Sequence, residues 1–293
     1  LDDARLDGGR YFYQNYPSAP KASATQEYDP SPVDRTASTV NQYGTDYIRI
    51  TCQGKHTLTF QGATQVPLLP EDAYSGQYAF WSNKGDESDM TLTREFDFTT
   101  VSGPITFSYR TWYDIEKGYD YVYLLASEDG ENWEMLKPPS GTDENPNGSN
   151  FGWGYNGDTG PVWIREDVDL SKFAGKKVQI RFEYITDAAV NGQGFLLDDV
   201  SVGAINYSSD FEQDEGGWNS AGFVRVANAL PQTFRVSLIL MGRQTQVLPV
   251  ALDAAQQGSI DFEIGSGVDE AILVVGGTTR FTNQAADYSY SVK

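Results

Sequence analysis

Apolar and polar residues alternate, or β-branched and aromatic residues cluster, in one segment after another of this chain. TLTREFDF (91–98), PITFSYRTWY (104–113), DYVYLLAS (120–127), KVQIRFEYIT (177–186) and GFLLDDVSV (194–202) all have this texture. It predicts strands, because successive side chains on a strand point to opposite faces of a sheet. Turn-forming clusters separate them: SGQ (75–77), EDGEN (128–132), PPSGTDENPNGSN (138–150) and DAAVNGQG (187–194). Many short strands at this spacing predict an all-β protein of the sandwich kind.

Two changes of texture divide the chain. Residues 1–44 are dominated by Asp, Ser, Thr and Pro around one aromatic burst, YFYQNY (11–16), and read as an extended linker or arm. An acidic, glycine-bearing stretch, NYSSDFEQDEGG (206–217), precedes a second run of strands: GFVRV, TFRVSLIL, TQVLPVAL, SIDFEI, AILVVGG and DYSYSV. The expected organisation is an arm (1–44), a larger β-sandwich (45–205) and a small immunoglobulin-like β-sandwich (206–293). A length of 293 residues suits two domains. No internal repeat of solenoid or propeller period is visible.

Charge narrows the function. With 41 acidic and 21 basic residues the formal charge is −20, which argues against a grip on nucleic acid or on an anionic membrane surface. No run of about 18 apolar residues is present, so no membrane insertion is expected. The chain opens at Leu1 without a charged-then-apolar leader, and reads as a soluble, processed or truncated piece. One His (His56) and one Cys (Cys52) build neither a structural zinc site nor an intramolecular disulfide. TCQGKHTLTF reads as strand, turn and strand, so a structural Cys and a turn His are expected rather than a nucleophilic pair.

Three acidic constellations carry candidate chemistry. NKGDESDM (83–90) places Asp86, Glu87 and Asp89 in a turn, to be joined by Asp198 and Asp199 of GFLLDDVSV. Clustered oxygens of this kind suit Ca2+, which takes 6 to 8 such ligands. Neighbours on a strand face opposite ways, so Asp198 and Asp199 are not expected to enter one site together. Asp198 would share the more apolar face with Leu196, Val200 and Val202, and an inward carboxylate calls for a cation, an arginine or an amide partner. TWYDIEKGYDYVY (111–123) flanks a Lys-Gly turn with Asp114, Glu116 and Asp120. Paired carboxylates there suit glycoside hydrolysis or, more simply, a share in the calcium site, for which Asp120 is the candidate. DENPNGSN (143–150) opens like an EF-hand loop, with Asp143, Asn145 and Asn147. Its twelfth position is Gly154 in place of the bidentate Glu, so it makes at most a weak ion site.

Trp81, Trp112 and Trp163 fall in strands, where core packing accounts for them. FGWGYNG (151–157) instead puts Trp153 and Tyr155 in a glycine-rich loop, where rings can either anchor the loop or stack on a sugar.

The strings run in a recognisable order: FQGATQVPLLPEDAYSGQYAFWSNKGDESDMTLTREFDF, TWYDIEKGYDYVYLLASEDGENW, NPNGSNFGWGYNG, FAGKKVQIRFEYITDAAVNGQGFLLDDVSV and GGWNSAGFVRVANALPQTFRV. Over about residues 40 to 290 the chain resembles the region that follows the catalytic domain in secreted immune inhibitor A-like metallopeptidases. The resemblance implies a MAM-like jelly roll followed by a small β domain. It also implies a structural Ca2+ beneath the last strand, near Asp198 and the turn of Asp86 and Asp89. The family's HExxH zinc motif is missing from this chain, so no peptidase activity is expected of it.

The expected protein is therefore an extracellular or cell-surface bacterial module, non-catalytic and calcium-binding. Three partners are open to it. It would dock on an upstream peptidase domain or on a protein substrate; it would form a homo-oligomer or filament through its N-terminal arm; or it would bind a glycan through Trp153 and Tyr155.

Overall fold

A computed structural model describes residues 24–28 and 35–293; the aromatic burst at 11–16 lies outside them. The regular structure of the described chain is almost wholly strand. Its first five strands are β1 (Gln26–Tyr28), β2 (Thr36–Val40), β3 (Thr45–Ile50), β4 (Gly54–Gly62) and β5 (Gln65–Val66). Next come β6 (Tyr78–Trp81), β7 (Asp89–Asp97), β8 (Thr106–Asp114), β9 (Tyr121–Ser127), β10 (Glu134–Met135) and β11 (Gly154–Tyr155). They are followed by β12 (Ile164–Asp169), β13 (Lys177–Ile185), β14 (Gly194–Val202), β15 (Tyr207–Ser209), β16 (Asn219–Ala221) and β17 (Val224–Ala227). The last six are β18 (Leu230–Pro231), β19 (Phe234–Gly242), β20 (Gln246–Pro249), β21 (Gln257–Ile264), β22 (Val268–Gly277) and β23 (Ala286–Val292).

Glu71–Asn228 form one compact unit, a two-sheet sandwich. One sheet has the order β10-β9-β13-β7-β16 and the other β12-β8-β14-β6-β17. Their facing sides meet in a core of Leu92, Phe96, Ile180, Phe182 and Tyr184 from the first sheet and Phe107, Tyr109, Phe195 and Leu197 from the second. The period-two pattern explains this directly: along β13 the buried positions are Val178, Ile180, Phe182 and Tyr184, with the residues between them half-exposed. Each such aromatic contributes about 1.5–3 kcal/mol of burial. β9 departs from alternation and is buried along its whole length. Its inner residues Val122 and Leu124 enter the main core, while Tyr121, Tyr123 and Leu125 on the other face are covered by Trp133 and Met135. Covered on both sides, it reads as the continuous apolar run DYVYLLAS.

The second unit joins the described residues up to Pro70 with Ala229–Lys293. Its sheets are β1-β3-β22-β19-β20 and β2-β23-β4-β21, closing on Ile48, Ile50, Leu58, Phe60, Leu238, Leu273 and Tyr288. Cys52 lies between β3 and β4. The His56 ring meets the Cys52 carbonyl oxygen at 2.9 Å rather than the thiol, and it packs on Phe262.

The units differ from the expected boundaries at both ends. β15, β16 and β17 pair with β14, β7 and β6, and Phe211, Trp218 and Phe223 sit in the first sandwich's core. That sandwich therefore extends past residue 205 to residue 228. β3 and β4, expected to open it, pair instead with β22, β21 and β23. Thr36–Val40, expected in a loose arm, pairs with β23 of its own chain. Local patterning announces a strand but not its partner, and the partners of β2, β3 and β4 lie about two hundred residues or more away.

Candidate metal centre

Three loops and a connecting turn converge at one end of the 71–228 sandwich: 82–88, 115–120, 186–193 and the stretch around Asn156. Backbone bonds lace them together. Glu87 N–H donates to the Asp187 carbonyl at 2.5 Å and Thr186 N–H to that of Ser88 at 3.0 Å. Asn156 works as a clamp: its Nδ2 donates to the carbonyl oxygens of Glu116 (3.2 Å) and Asp120 (2.8 Å), and its Oδ1 accepts from Gly118 N–H. Asn191 Nδ2 donates to Asp86 Oδ1 at 2.7 Å, which brings the first loop to the third.

Inside this lacing, one carboxylate oxygen from each of Glu116, Asp120 and Asp187 lies within 4.8 Å of the others. Asp120 is fully buried at the start of β9. Its Oδ1 accepts from Asp187 N–H at 2.9 Å and its Oδ2 from the Tyr184 hydroxyl at 3.2 Å. Burial nonetheless pushes its carboxyl up to about 6, against the pull of those two donors and with the help of its acidic neighbours. The Glu116 carboxyl is also raised, first by desolvation and then by the charges of Asp187 and Asp86. Its Oε2 is enclosed and has no hydrogen-bond partner among the described residues.

An enclosed oxygen without a donor is costly, as are three like charges so close together. A proton relieves one of them, whereas a bound cation relieves all three. The donors are all hard oxygens, with no nitrogen or sulfur among them, and so fit an alkaline-earth ion rather than zinc.

The sequence-selected residues do not all gather here. Asp120 does, and Asp86 lies at the edge. Glu87 is exposed in a left-handed conformation (φ 47°), and contributes its backbone N–H. Asp89 opens β7 opposite Ile185, on the face where Glu183 is raised first by desolvation and then by the Asp89 charge. Asp198 and Asp199 stand apart, on the turn at residues 74–75. Asp198 Oδ2 accepts from Ser75 N–H at 3.0 Å and Asp199 Oδ1 from Ser75 Oγ at 2.8 Å. Both aspartates address the same turn, contrary to the expectation for adjacent strand residues. The cause is a bulge between Asp198 and Ser201, where Asp199 takes φ 47°. The bulge also returns Val200 and Val202 to the core, leaving Asp198 off their face. Fully buried, Asp198 is raised by desolvation to about 7.

Glu116 was visible in the sequence as a flank of the Lys-Gly turn, but Asp187 was hidden in DAAVNGQG, read only as a turn. A carboxylate just past the end of a buried strand was the available signal.

The remaining candidates serve the loops. Asn145 braces Asn150 through both its amide oxygen and its nitrogen, Asn147 Nδ2 donates to the Gly118 carbonyl, and Asp143 is exposed. Tyr155 is fully buried and shares a 2.5 Å hydroxyl contact with Tyr109. It has no face to offer a sugar: a residue in a glycine-rich loop has become a core residue because β11 pairs with β9. Trp153 is half-buried beneath the Lys137 ammonium, 4.8 Å from its ring centre.

Comparison with known proteins places this unit. The family model described as "Immune inhibitor A-like, MAM domain" matches residues 69–228, nearly the bounds of the compact unit. The chain is similar to immune inhibitor A of Bacillus thuringiensis subsp. alesti, at 38% identity over 149 residues, 48% of this chain and 20% of that protein. It is also similar to the pre-pro-metalloprotease PrtV of Vibrio cholerae, at 29% over 130 residues, 43% of this chain and 13% of that protein. Bacillopeptidase F of Bacillus subtilis is 27% identical over 136 residues, 45% of this chain and 8% of that protein. The matches thus span a fifth or less of these relatives, and they cover only the MAM-like region, a non-catalytic part of the larger peptidases. Among the described residues no helix is long and apolar enough to cross a membrane.

Proposed function

Because this chain belongs to the immune inhibitor A-like MAM domain family, we propose that it is an extracellular, non-catalytic accessory module of a bacterial peptidase, with a Ca2+ ion fixing the loops at one end of its jelly roll. The observation that carries the accessory role is where the similarity falls, within one limited stretch of much larger peptidases. A rigid sandwich there docks on the peptidase domain or presents protein substrate to it.

The calcium part rests on Glu116, Asp120 and Asp187 and on the unpartnered Glu116 Oε2. Mg2+ demands near-octahedral geometry and keeps much of its water, whereas Ca2+ accepts irregular sets of carboxylates, carbonyls and water. Extracellular modules bind it at about 10⁻⁴–10⁻³ M, concentrations available outside a cell.

Two measurements test the reading separately. The peptidase domain of a relative, expressed alone, is to be captured by this chain in a pull-down; no capture of either the domain or its protein substrate sinks the accessory role. Calorimetric titration with CaCl2 is to give one site that Glu116→Gln removes; a flat titration sinks the ion.

A further inference from the structure

A second place in the 71–228 sandwich has the composition of a ligand site. A groove of about 430 Å3 runs over the outer face of β8, β12, β14 and β15, within the range of small-molecule pockets, about 300–1,000 Å3. Arg110 and Arg165 line it from adjacent strands, Asp199 from the bulge, Asp210 from the segment after β15, and Tyr74 from one side.

Three observations set the groove apart from ordinary surface. Arg110 and Arg165 are directly opposite in the β8–β12 register, an arrangement that destabilises a sheet. Arg165 is answered by Asp167 at 3.1 Å, whereas Arg110 makes no ion pair among the described residues and instead lies 4.4 Å from the centre of the Tyr74 ring. Tyr74 is a large ring left 42% exposed, and it is held there. Asp198 and Asp199 pin the next residue, Ser75, while Trp163 packs on the ring at 6.0 Å and donates its indole N–H to the Asp72 carbonyl. Finally, two arginines and two aspartates share the lining, and with Asp167 already on Arg165 they leave no cationic surplus for an anion, in a chain of formal charge −20.

From these we infer that the groove binds a neutral saccharide of one or two rings, packed beside Tyr74 and hydrogen-bonded by Arg110, Arg165 and the carboxylates of Asp199 and Asp210. A sugar hydroxyl both donates and accepts, and the groove offers guanidinium donors and carboxylate acceptors side by side. An acidic peptide or polyanionic glycan would meet those aspartates and the field of the whole chain. Buried Asp198 is a positioning residue, since together with Asp199 it holds the turn that carries Tyr74. This inference stands independently of the calcium site.

A glycan array probed with the purified chain, followed by calorimetry on the best hit, tests it. A neutral oligosaccharide is expected to bind, with affinity falling at least about tenfold in both Tyr74→Ala and Arg165→Gln, and unchanged in Phe151→Ala, an exposed ring elsewhere. Melting curves check that the variants fold. If Tyr74→Ala does not, Arg165→Gln decides, because its side chain is 56% exposed. A blank array, equal binding by wild type and Arg165→Gln, or capture of acidic peptides and polyanionic glycans alone would each overturn the proposal.

Discussion

The sandwich of residues 71–228 buries Asp120, Glu166 and Asp198, while among the described residues of its companion the buried polar ones are the neutral Gln232, Ser237, Thr279 and Thr282. Both units solve the same packing problem with two sheets and a β-branched and aromatic interior. They differ in what they tolerate there. Burying a carboxyl is costly unless it is paired, protonated or bound to a cation, and one unit bears that cost three times. Glu166 accepts from Ser140 N–H at 3.2 Å and is still raised by desolvation. Among the described residues the buried carboxyls thus fall in the first unit alone.

The largest effects on this contrast come from the two cores. Phe182→Ala is expected to destabilise the 71–228 sandwich by about 3–5 kcal/mol, and Leu238→Ala its companion by about 2–5 kcal/mol, as measured by denaturant unfolding. Losses below about 1 kcal/mol would mean that these fully buried side chains do not carry their cores.

Calcium sharpens the difference next. If the proposed ion binds, a hundredfold excess over its dissociation constant is expected to add about 2.7 kcal/mol to the 71–228 sandwich, and EDTA to remove it. Glu116→Gln should melt at the same temperature with or without calcium. A wild-type melting curve indifferent to EDTA would contradict the metal centre.

Acidity separates the units further. Burial raises Asp198 from an ordinary 3.8 to about 7, so the folded chain holds a proton that the unfolded chain has released. The stability this contributes is complete below about pH 4 and is lost as pH rises through about 7; Glu166 acts in the same direction. Unfolding followed from pH 4 to 8 in EDTA should therefore show declining stability for the 71–228 sandwich, and Asp198→Asn should flatten the decline. A rise with pH would show that its amide bonds from Ser75 and Asp199 outweigh burial.

Exposed ion pairs mark the smallest effects. Lys172 and Glu134 meet at 2.7 Å with both side chains about half exposed, and Lys172→Ala should cost no more than about 1 kcal/mol, less in high salt. A larger loss would point to packing of the lysine stem on Phe173.

Much of this was legible beforehand, for identifiable reasons. Alternation in KVQIRFEYIT and TLTREFDF announces strands because side-chain direction is a local property of the backbone. The ordered strings from FQGATQ to ANALPQ indicated the family, and Asp120 was legible as a candidate because a carboxyl opening a continuous apolar strand has few ways to stay hydrated. Asp187 was not foreseen, since nothing in DAAVNGQG distinguishes a ligand from a solvated turn. Tyr155 was misplaced because the pairing that buries it joins β11 to β9 across about thirty residues.

By itself, then, the sequence determined the all-β class, the strand segments, the family and the lack of a zinc peptidase motif, each of them written in neighbouring residues. Tertiary structure alone decided that β3 and β4 leave the first sandwich for β21, β22 and β23. It also decided that a one-residue bulge turns Asp198 and Asp199 toward the same turn, and that Glu116, Asp120 and Asp187 meet. Strand pairing and carboxylate convergence are set by which distant segments bury one another's apolar faces, a choice made by the whole chain at once.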